Sequence, residues 1–108
     1  MPKEFVKVAR TDEVRPGEKK QVKIGDEYIL LVHFGGRYYA MDGVCPHAFA
    51  LLSYGQMYGE ELMCPVHGAV FNIKTGAVLS PPANENLAVY PVRIEGDYIL
   101  VGPPESKK

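Results

Sequence analysis

The chain has 108 residues, 46% of them hydrophobic, and contains no apolar run long enough to span a membrane. This length and composition suit a single domain over residues 1–108 with one modest core. Twelve basic and thirteen acidic side chains give a formal net charge of −1 without a basic stripe, which argues against nucleic acid as a partner. The first twenty residues are charged throughout and lack the apolar core of a secretory signal, so we expect a cytoplasmic protein.

Short runs rich in Val, Ile and Tyr alternate with turn residues at intervals of roughly eight to twelve residues, which is typical of an antiparallel all-β protein. Gly25-Asp26 separates "KKQVKI" from "EYILLVHF", and Gly35-Gly36 separates the latter from "RYYAM". Gly96-Asp97 separates "VYPVRIE" from "YILVG". Because two-residue turns of this chemistry join antiparallel neighbours, the sequence predicts three hairpins.

The pattern changes between Gly43 and about Pro82, where the loops are longer and both cysteines occur. Within this segment "GQMYGEELM" predicts two short strands joined at Gly59-Glu60. Such a hairpin would return Cys64 to the neighbourhood of Cys45. We interpret residues 43–82 as an inserted unit that carries the function.

The two cysteines each stand beside a histidine. Cys45-Pro46-His47 is followed by sixteen residues and then by Cys64-Pro65-Val66-His67. Four ligands of two types suffice for a metal site, and three interpretations compete: a disulfide, a structural zinc site, and an iron-sulfur cluster with mixed ligands. A disulfide leaves the histidines unexplained and is disfavoured in a chain that lacks a secretory signal.

Zinc fingers usually pair Cys with Cys and His with His, whereas each of these loops carries one of each. A two-iron cluster uses the mixed arrangement directly if Cys45 and Cys64 hold one iron while His47 and His67 hold the other. The spacing therefore favours the cluster. A zinc-stabilised interaction domain is the weaker alternative.

The motif "CPH", followed by "CPVHGAVFNIKTGAVLSPPANENLAVYPVRIEGDYILV", resembles the Rieske iron-sulfur proteins, specifically the stand-alone Rieske-type ferredoxins. The resemblance implies an antiparallel β-sandwich of short strands with an inserted cluster-binding unit. It also implies a [2Fe-2S] cluster on Cys45, His47, Cys64 and His67. The expected function is that of an electron carrier, not an enzyme, that moves single electrons from a flavin-dependent reductase to a terminal oxygenase. An alternative is a small subunit or relay module of a larger reductase complex.

The chain departs from the Rieske proteins of quinol-oxidising complexes at four positions. Those proteins carry a further cysteine in each ligand loop, joined as a disulfide, where this chain has Ala50 and Val66. They also carry a serine and a tyrosine that hydrogen-bond the cluster sulfurs, where this chain has Ala69 and Phe71. Because such bonds stabilise the reduced cluster, we expect a potential toward the lower end of the roughly −150 to +300 mV Rieske range.

The ligand histidines are also expected to couple protons to the electron. Coordination through one ring nitrogen leaves the other free to titrate, so the potential should fall at alkaline pH. If His47 and His67 lie at the tip of the domain, as the resemblance implies, partners should dock there, beside Phe49 and Pro81-Pro82. The third histidine, His33, has no ligand partner nearby in sequence and is left out of the site.

The apolar stretch after His47 could be mistaken for part of a cofactor site. A run of this length more often anchors a loop to its core, so Leu51 and Leu52 are expected to pack and not to bind.

Overall fold

The computed structural model describes residues 5–45, 50–65, 68–80 and 85–102, which form strands and two single-turn 3-10 helices, Thr11–Glu13 and Leu52–Tyr54. The strands are β1 (Val6–Arg10), β2 (Lys19–Ile24), β3 (Glu27–Phe34), β4 (Arg37–Asp42), β5 (Gln56–Tyr58), β6 (Glu61–Met63), β7 (Val70–Asn72), β8 (Val78–Ser80), β9 (Val89–Tyr90), β10 (Val92–Glu95) and β11 (Tyr98–Val101). Every strand pairing is antiparallel, which confirms the predicted fold class. No helix in these ranges is long and apolar enough to cross a membrane.

The three predicted hairpins are confirmed. Strands β2 and β3 pair up to Ile24 and Glu27, with Gly25-Asp26 as the turn. Gly35-Gly36 joins β3 to β4, and Gly96-Asp97 joins β10 to β11. Gly25 and Gly96 both have φ of 61°, a left-handed conformation that glycine adopts without steric cost and that tight hairpin turns require.

The run "VYPVRIE" was expected to form one strand, and this expectation is wrong. Strand β9 pairs with β4, whereas β10 pairs with β11 in a different sheet. The break falls at Pro91, which has no N–H to donate and a fixed φ, so it cannot continue a hydrogen-bonded strand. The carbonyl of Pro91 instead accepts a bond from the Gly102 N–H at 3.0 Å.

The strands form three sheets. The terminal sheet has the order β1-β11-β10, the central sheet β2-β3-β4-β9, and the inserted sheet β5-β6-β7-β8. In the inserted sheet β5 and β6 form the predicted hairpin at Gly59-Glu60. The inserted sheet runs from Gln56 to Ser80, between β4 and β9 in the chain. The wider bounds of the inserted unit, about 43 to 82, stay a prediction.

Strand β3 contributes to two cores, one on each face of the central sheet. Leu30 and Val32 belong to one, and Ile29 and Leu31 to the other, and all four are fully buried. The alternation follows from the two-residue period of a strand. The ligand-loop core consists of Leu30, Val32, Met41, Cys45, Leu52, Leu62, Cys64, Ala69, Phe71, Ile73 and Leu87. The base core consists of Val14, Ile24, Ile29, Leu31, Ala40, Ala88, Tyr90, Ile99 and Val101.

Candidate metal centre

Two loops with the same closing hydrogen bond begin at the two cysteines. The Cys45 N–H donates to the carbonyl oxygen of Ala50 at 2.8 Å, and the Cys64 N–H donates to that of Ala69 at 2.7 Å. In each case the acceptor lies five residues after the cysteine, so four residues lie between the paired ends. The structure therefore gives the two sequence motifs equivalent loop bases.

The first loop is fixed by bonds on both sides of its base. The Gly43 N–H donates to the Tyr28 carbonyl at 2.8 Å, and the Gly43 carbonyl accepts from the Leu52 N–H at 2.8 Å. Val44 and Leu51 form an isolated antiparallel bridge between these bonds and the Cys45 bond. The two sides of the loop are therefore paired from Gly43 to Cys45.

The second loop is held by a close backbone approach. A Cβ built on Gly55 would overlap the carbonyl oxygen of Met63, the residue before Cys64. Only glycine therefore lets the segment after the 3-10 helix pass this close to β6. At the other end Gly68, at φ 77°, donates its N–H to the Cys64 carbonyl at 3.3 Å.

Both cysteines are buried, with 0% of Cys45 and 2% of Cys64 exposed, and both belong to the ligand-loop core. Their shared core agrees with the predicted return of Cys64 toward Cys45. Within the described ranges no buried residue is polar or charged. A thiolate in apolar surroundings is costly unless a cation balances it, and buried thiolates are the usual ligands of iron-sulfur clusters. The donor chemistry and its apolar surroundings fit such a cluster.

The two histidines of the motifs, His47 and His67, lie outside the described residues, as do Phe49 and Pro81-Pro82. In the chain, His47 falls between the paired ends of the first loop and His67 between those of the second. Each closed loop therefore contains one histidine in its sequence. The complete ligand set stays a prediction.

The two positions that lack hydroxyl groups lie beside the cysteines in the ligand-loop core. Ala69 and Phe71 are both fully buried, and the Ala69 carbonyl closes the second loop. Phe71 sits on β7, opposite Leu62 of β6. Neither side chain can donate a hydrogen bond.

Sequence reasoning missed Asp42, the last residue of β4. Its Oδ2 accepts the Ala88 N–H at 2.9 Å and its Oδ1 accepts the Tyr90 hydroxyl at 2.7 Å, while its own N–H donates to the Ala88 carbonyl at 3.0 Å. Burial raises the pKa of Tyr90 above its ordinary value, and the hydrogen bond to Asp42 raises it further, so the phenol remains a donor. The partners are more than forty residues from Asp42, so no local pattern marks it.

The residues set aside in the sequence have structural roles. The Nδ1 atom of His33 lies 2.9 Å from the Val14 carbonyl oxygen, and its ring stacks on Tyr38 with the ring centroids 4.1 Å apart. Leu52 is fully buried in the ligand-loop core, and Leu51 forms the bridge to Val44. These observations agree with the packing roles expected for the two leucines and with leaving His33 out of the site.

Comparison with known proteins adds family evidence to this geometry. Residues 4–91 match the family model of the Rieske [2Fe-2S] domain. The biphenyl dioxygenase ferredoxin subunit of Pseudomonas sp. (strain KKS102) is 38% identical over 98 residues, which cover 90% of each chain. The solved ferredoxin of carbazole 1,9a-dioxygenase from Nocardioides aromaticivorans IC177 has a TM-score of 0.85 and 33% identity, covering 92% of this chain and 97% of that one.

A further structure, a complex of reduced oxygenase and oxidized ferredoxin in carbazole 1,9a-dioxygenase, contains a chain with a TM-score of 0.86 and 30% identity, covering 99% of this chain and 98% of that chain. The similar proteins are ferredoxin components, which transfer electrons and are not enzymes, and they do not favour a small subunit of a larger reductase. The chain therefore belongs to the Rieske [2Fe-2S] family and is a Rieske-type ferredoxin, an electron carrier that uses a 2Fe-2S cluster.

Proposed function

We propose that Cys45, His47, Cys64 and His67 hold the cluster, with the two thiolates on one iron and the two imidazoles on the other. The observation that carries this proposal is the pair of matched loop bases, which place both cysteines in one buried core. When bound, the cluster accepts and releases one electron. The chain supplies two anionic and two neutral ligands, which leave the oxidised cluster near neutral, so adding an electron is easier than with four thiolates.

The ligand assignment is tested by replacing the histidines one at a time. His47→Ala and His67→Ala should each abolish the intact cluster, because loss of one imidazole exposes its iron to water. His33→Ala is the matched control, since that ring bonds the Val14 carbonyl and stacks on Tyr38. Low-temperature electron paramagnetic resonance of the dithionite-reduced protein is the readout. An unaltered Rieske signal in either ligand variant would contradict the assignment.

The reduction potential is proposed to lie low in the Rieske range. The support is the absence of hydroxyl donors at Ala69 and Phe71, both buried in the same core as the cysteines. Donors to the sulfurs would favour the reduced, more negative cluster. A low potential suits delivery of electrons to an oxygenase.

The redox partners are proposed to be a flavin-dependent reductase as donor and a terminal oxygenase as acceptor. The support is that a relative of this chain forms a complex with the oxygenase of a carbazole 1,9a-dioxygenase, and that another relative is a biphenyl dioxygenase ferredoxin subunit. The cytoplasm is proposed as the location, where cysteines stay reduced. Reconstitution with a purified flavin reductase and a terminal oxygenase of an aromatic-ring dioxygenase tests the partners: product should form only when all three proteins are present.

One described surface near the site suits contact with a protein. A cleft of about 390 Å³ opens beside Cys64, lined also by Tyr54 and Met63, and 76% of Tyr54 is exposed. Exposed aromatic side chains are enriched at protein interfaces. Tyr54→Ala should slow electron transfer to the oxygenase in stopped-flow experiments, whereas Tyr28→Ala, a change of the same size on the central sheet, should not. Equal rates of electron transfer in Tyr54→Ala and Tyr28→Ala would show that the oxygenase does not bind at Tyr54.

A further inference from the structure

Asp42 is the last residue of β4 and lies three residues before Cys45, where the first ligand loop begins. The carboxylate is half-buried and accepts hydrogen bonds from two neutral donors, the Ala88 N–H and the Tyr90 hydroxyl. No ion pair recorded in the described part of the chain includes it. A second carboxylate, that of Glu27, is near enough to Tyr90 to raise the pKa of the phenol. The negative charge of Asp42 is therefore held in place without a recorded cationic partner.

The backbone path from Asp42 to Cys45 is short and rigid. The Asp42 N–H donates to Ala88, Gly43 is bonded to Tyr28 and Leu52, and the Cys45 N–H donates to Ala50. Three residues of extended chain span at most about 10 Å. Backbone hydrogen bonds hold both ends of this three-residue segment.

A fixed negative charge at this range affects a redox centre in one direction. Reduction adds one electron, so a neighbouring negative charge disfavours the reduced state and lowers the potential. Few positive charges in the loop region can offset the charge of Asp42, because Lys74 is the single Lys or Arg among residues 43–82. The charge of Asp42 is therefore expected to lower the reduction potential, as is the absence of hydroxyl donors at Ala69 and Phe71.

We propose that the Asp42 carboxylate, held by Ala88 and Tyr90, lowers the reduction potential of this ferredoxin through its uncompensated charge near Cys45. The role of Asp42 rests on the proposed ligation of the cluster by Cys45. Nothing in the sequence motif requires an acid at this position.

The test removes the charge while keeping the shape. Asp42→Asn retains an acceptor for the Ala88 N–H, and its amide can donate to the Tyr90 oxygen. An anaerobic redox titration of the purified cluster-loaded protein, followed by electron paramagnetic resonance, should show a higher midpoint potential. At the wild-type midpoint the ratio of reduced to oxidised protein should rise by roughly five- to tenfold.

Two control variants separate charge from position. Tyr90→Phe removes one bond to Asp42 but keeps the carboxylate, so its potential should not rise. Asp97→Asn removes a charge that is 77% exposed at the β10–β11 turn, and it should leave the potential unchanged. A rise in Tyr90→Phe equal to that in Asp42→Asn would assign the effect to loop position and overturn the proposal.

An unchanged midpoint in Asp42→Asn with an intact Rieske signal would also overturn it. If the asparagine variant does not fold, Asp42→Ser removes the charge and keeps a hydroxyl acceptor, and the same titration decides. Failure of the proposed cluster ligation would give a different result from failure of the Asp42 proposal. In that case Cys45→Ser would retain the cluster and its spectrum, whatever the potential of the Asp42 variants.

Discussion

The base, made of the terminal and central sheets, and the inserted unit differ in how their structure is maintained. Only three of the 25 Lys, Arg, Asp and Glu residues lie in residues 43–82: Glu60, Glu61 and Lys74. Strand β3 of the central sheet has eight residues, whereas each strand of the inserted sheet has three. Short strands give little cross-strand stabilisation on their own. The inserted sheet therefore depends on the ligand-loop core, which it shares with Leu30, Val32 and Met41 of the central sheet.

The sharpest test of this comparison uses two neighbouring leucines of β3. Leu30→Ala and Leu31→Ala should each lower the free energy of unfolding by about 2–5 kcal/mol, because both side chains are fully buried. Only Leu30 shares a core with the cysteines. Urea denaturation should therefore give similar losses, while iron content and the reduced spectrum should change only in Leu30→Ala. Equal loss of iron in both variants would mean that the two cores are not separable.

A smaller effect is expected at the contact between the Leu52–Tyr54 helix and β6. Gly55→Ala should destabilise the protein by about 2 kcal/mol, since the new methyl group overlaps the Met63 carbonyl oxygen. Gly59→Ala is the matched control, because its Cβ meets open space and only its φ of 62° is unfavourable, at about 1 kcal/mol. Iron retention should fall in Gly55→Ala alone. Identical iron retention in the two variants would exclude a role of this contact in placing Cys64.

At Ala69 and Phe71 a hydroxyl group can be introduced beside the proposed cluster without changing any residue of the base. Ala69→Ser and Phe71→Tyr should each raise the midpoint potential. Each new hydroxyl hydrogen bond to a cluster sulfur should stabilise the reduced state by about 1 kcal/mol relative to the oxidised state. Ala9→Ser and Phe5→Tyr make the same changes in or beside the base and should not shift the potential. Redox titration of the four variants gives the answer, and unchanged midpoints at both Ala69 and Phe71 would refute the hydroxyl argument.

The smallest expected effect is a pH dependence in the base. The pKa of Tyr90 is raised in the folded protein by burial and by Asp42, so the unfolded state loses this proton first as the pH increases. The stabilisation is complete below the unfolded pKa of about 10 and is lost at higher pH. Tyr90→Phe should therefore lose stability less steeply above pH 10 than the wild type in urea denaturation. If the free energy of unfolding falls equally steeply with pH in both proteins, Tyr90 does not contribute to the pH dependence.

Much of the framework was predictable because local chemistry determines it. Glycine-containing turns set the hairpins, and the "GQMYGEELM" stretch correctly predicted the β5–β6 hairpin that precedes Cys64. The change of sheet at Pro91 was missed because alternation of side chains continues across the proline. The division of Ile29–Val32 between two cores depends on which sheets cover each face, and the run itself is uniformly apolar. The role of Asp42 was not predicted because its hydrogen-bond partners, Ala88 and Tyr90, are distant in sequence. The four-residue ligand set and the bounds 43–82 stay predictions.

The alternation of β3 between two cores also constrains where the length of the chain can change. A single-residue insertion within β3 would turn every later side chain of the strand to the opposite face. Both cores would lose their partners in one step, so we expect no tolerated insertion or deletion there. The turn at Gly59-Glu60 is exposed and joins strands of three residues, so an insertion at its tip does not reverse the side-chain alternation of any strand. Related chains should therefore differ in length at this turn and keep the length of β3 constant.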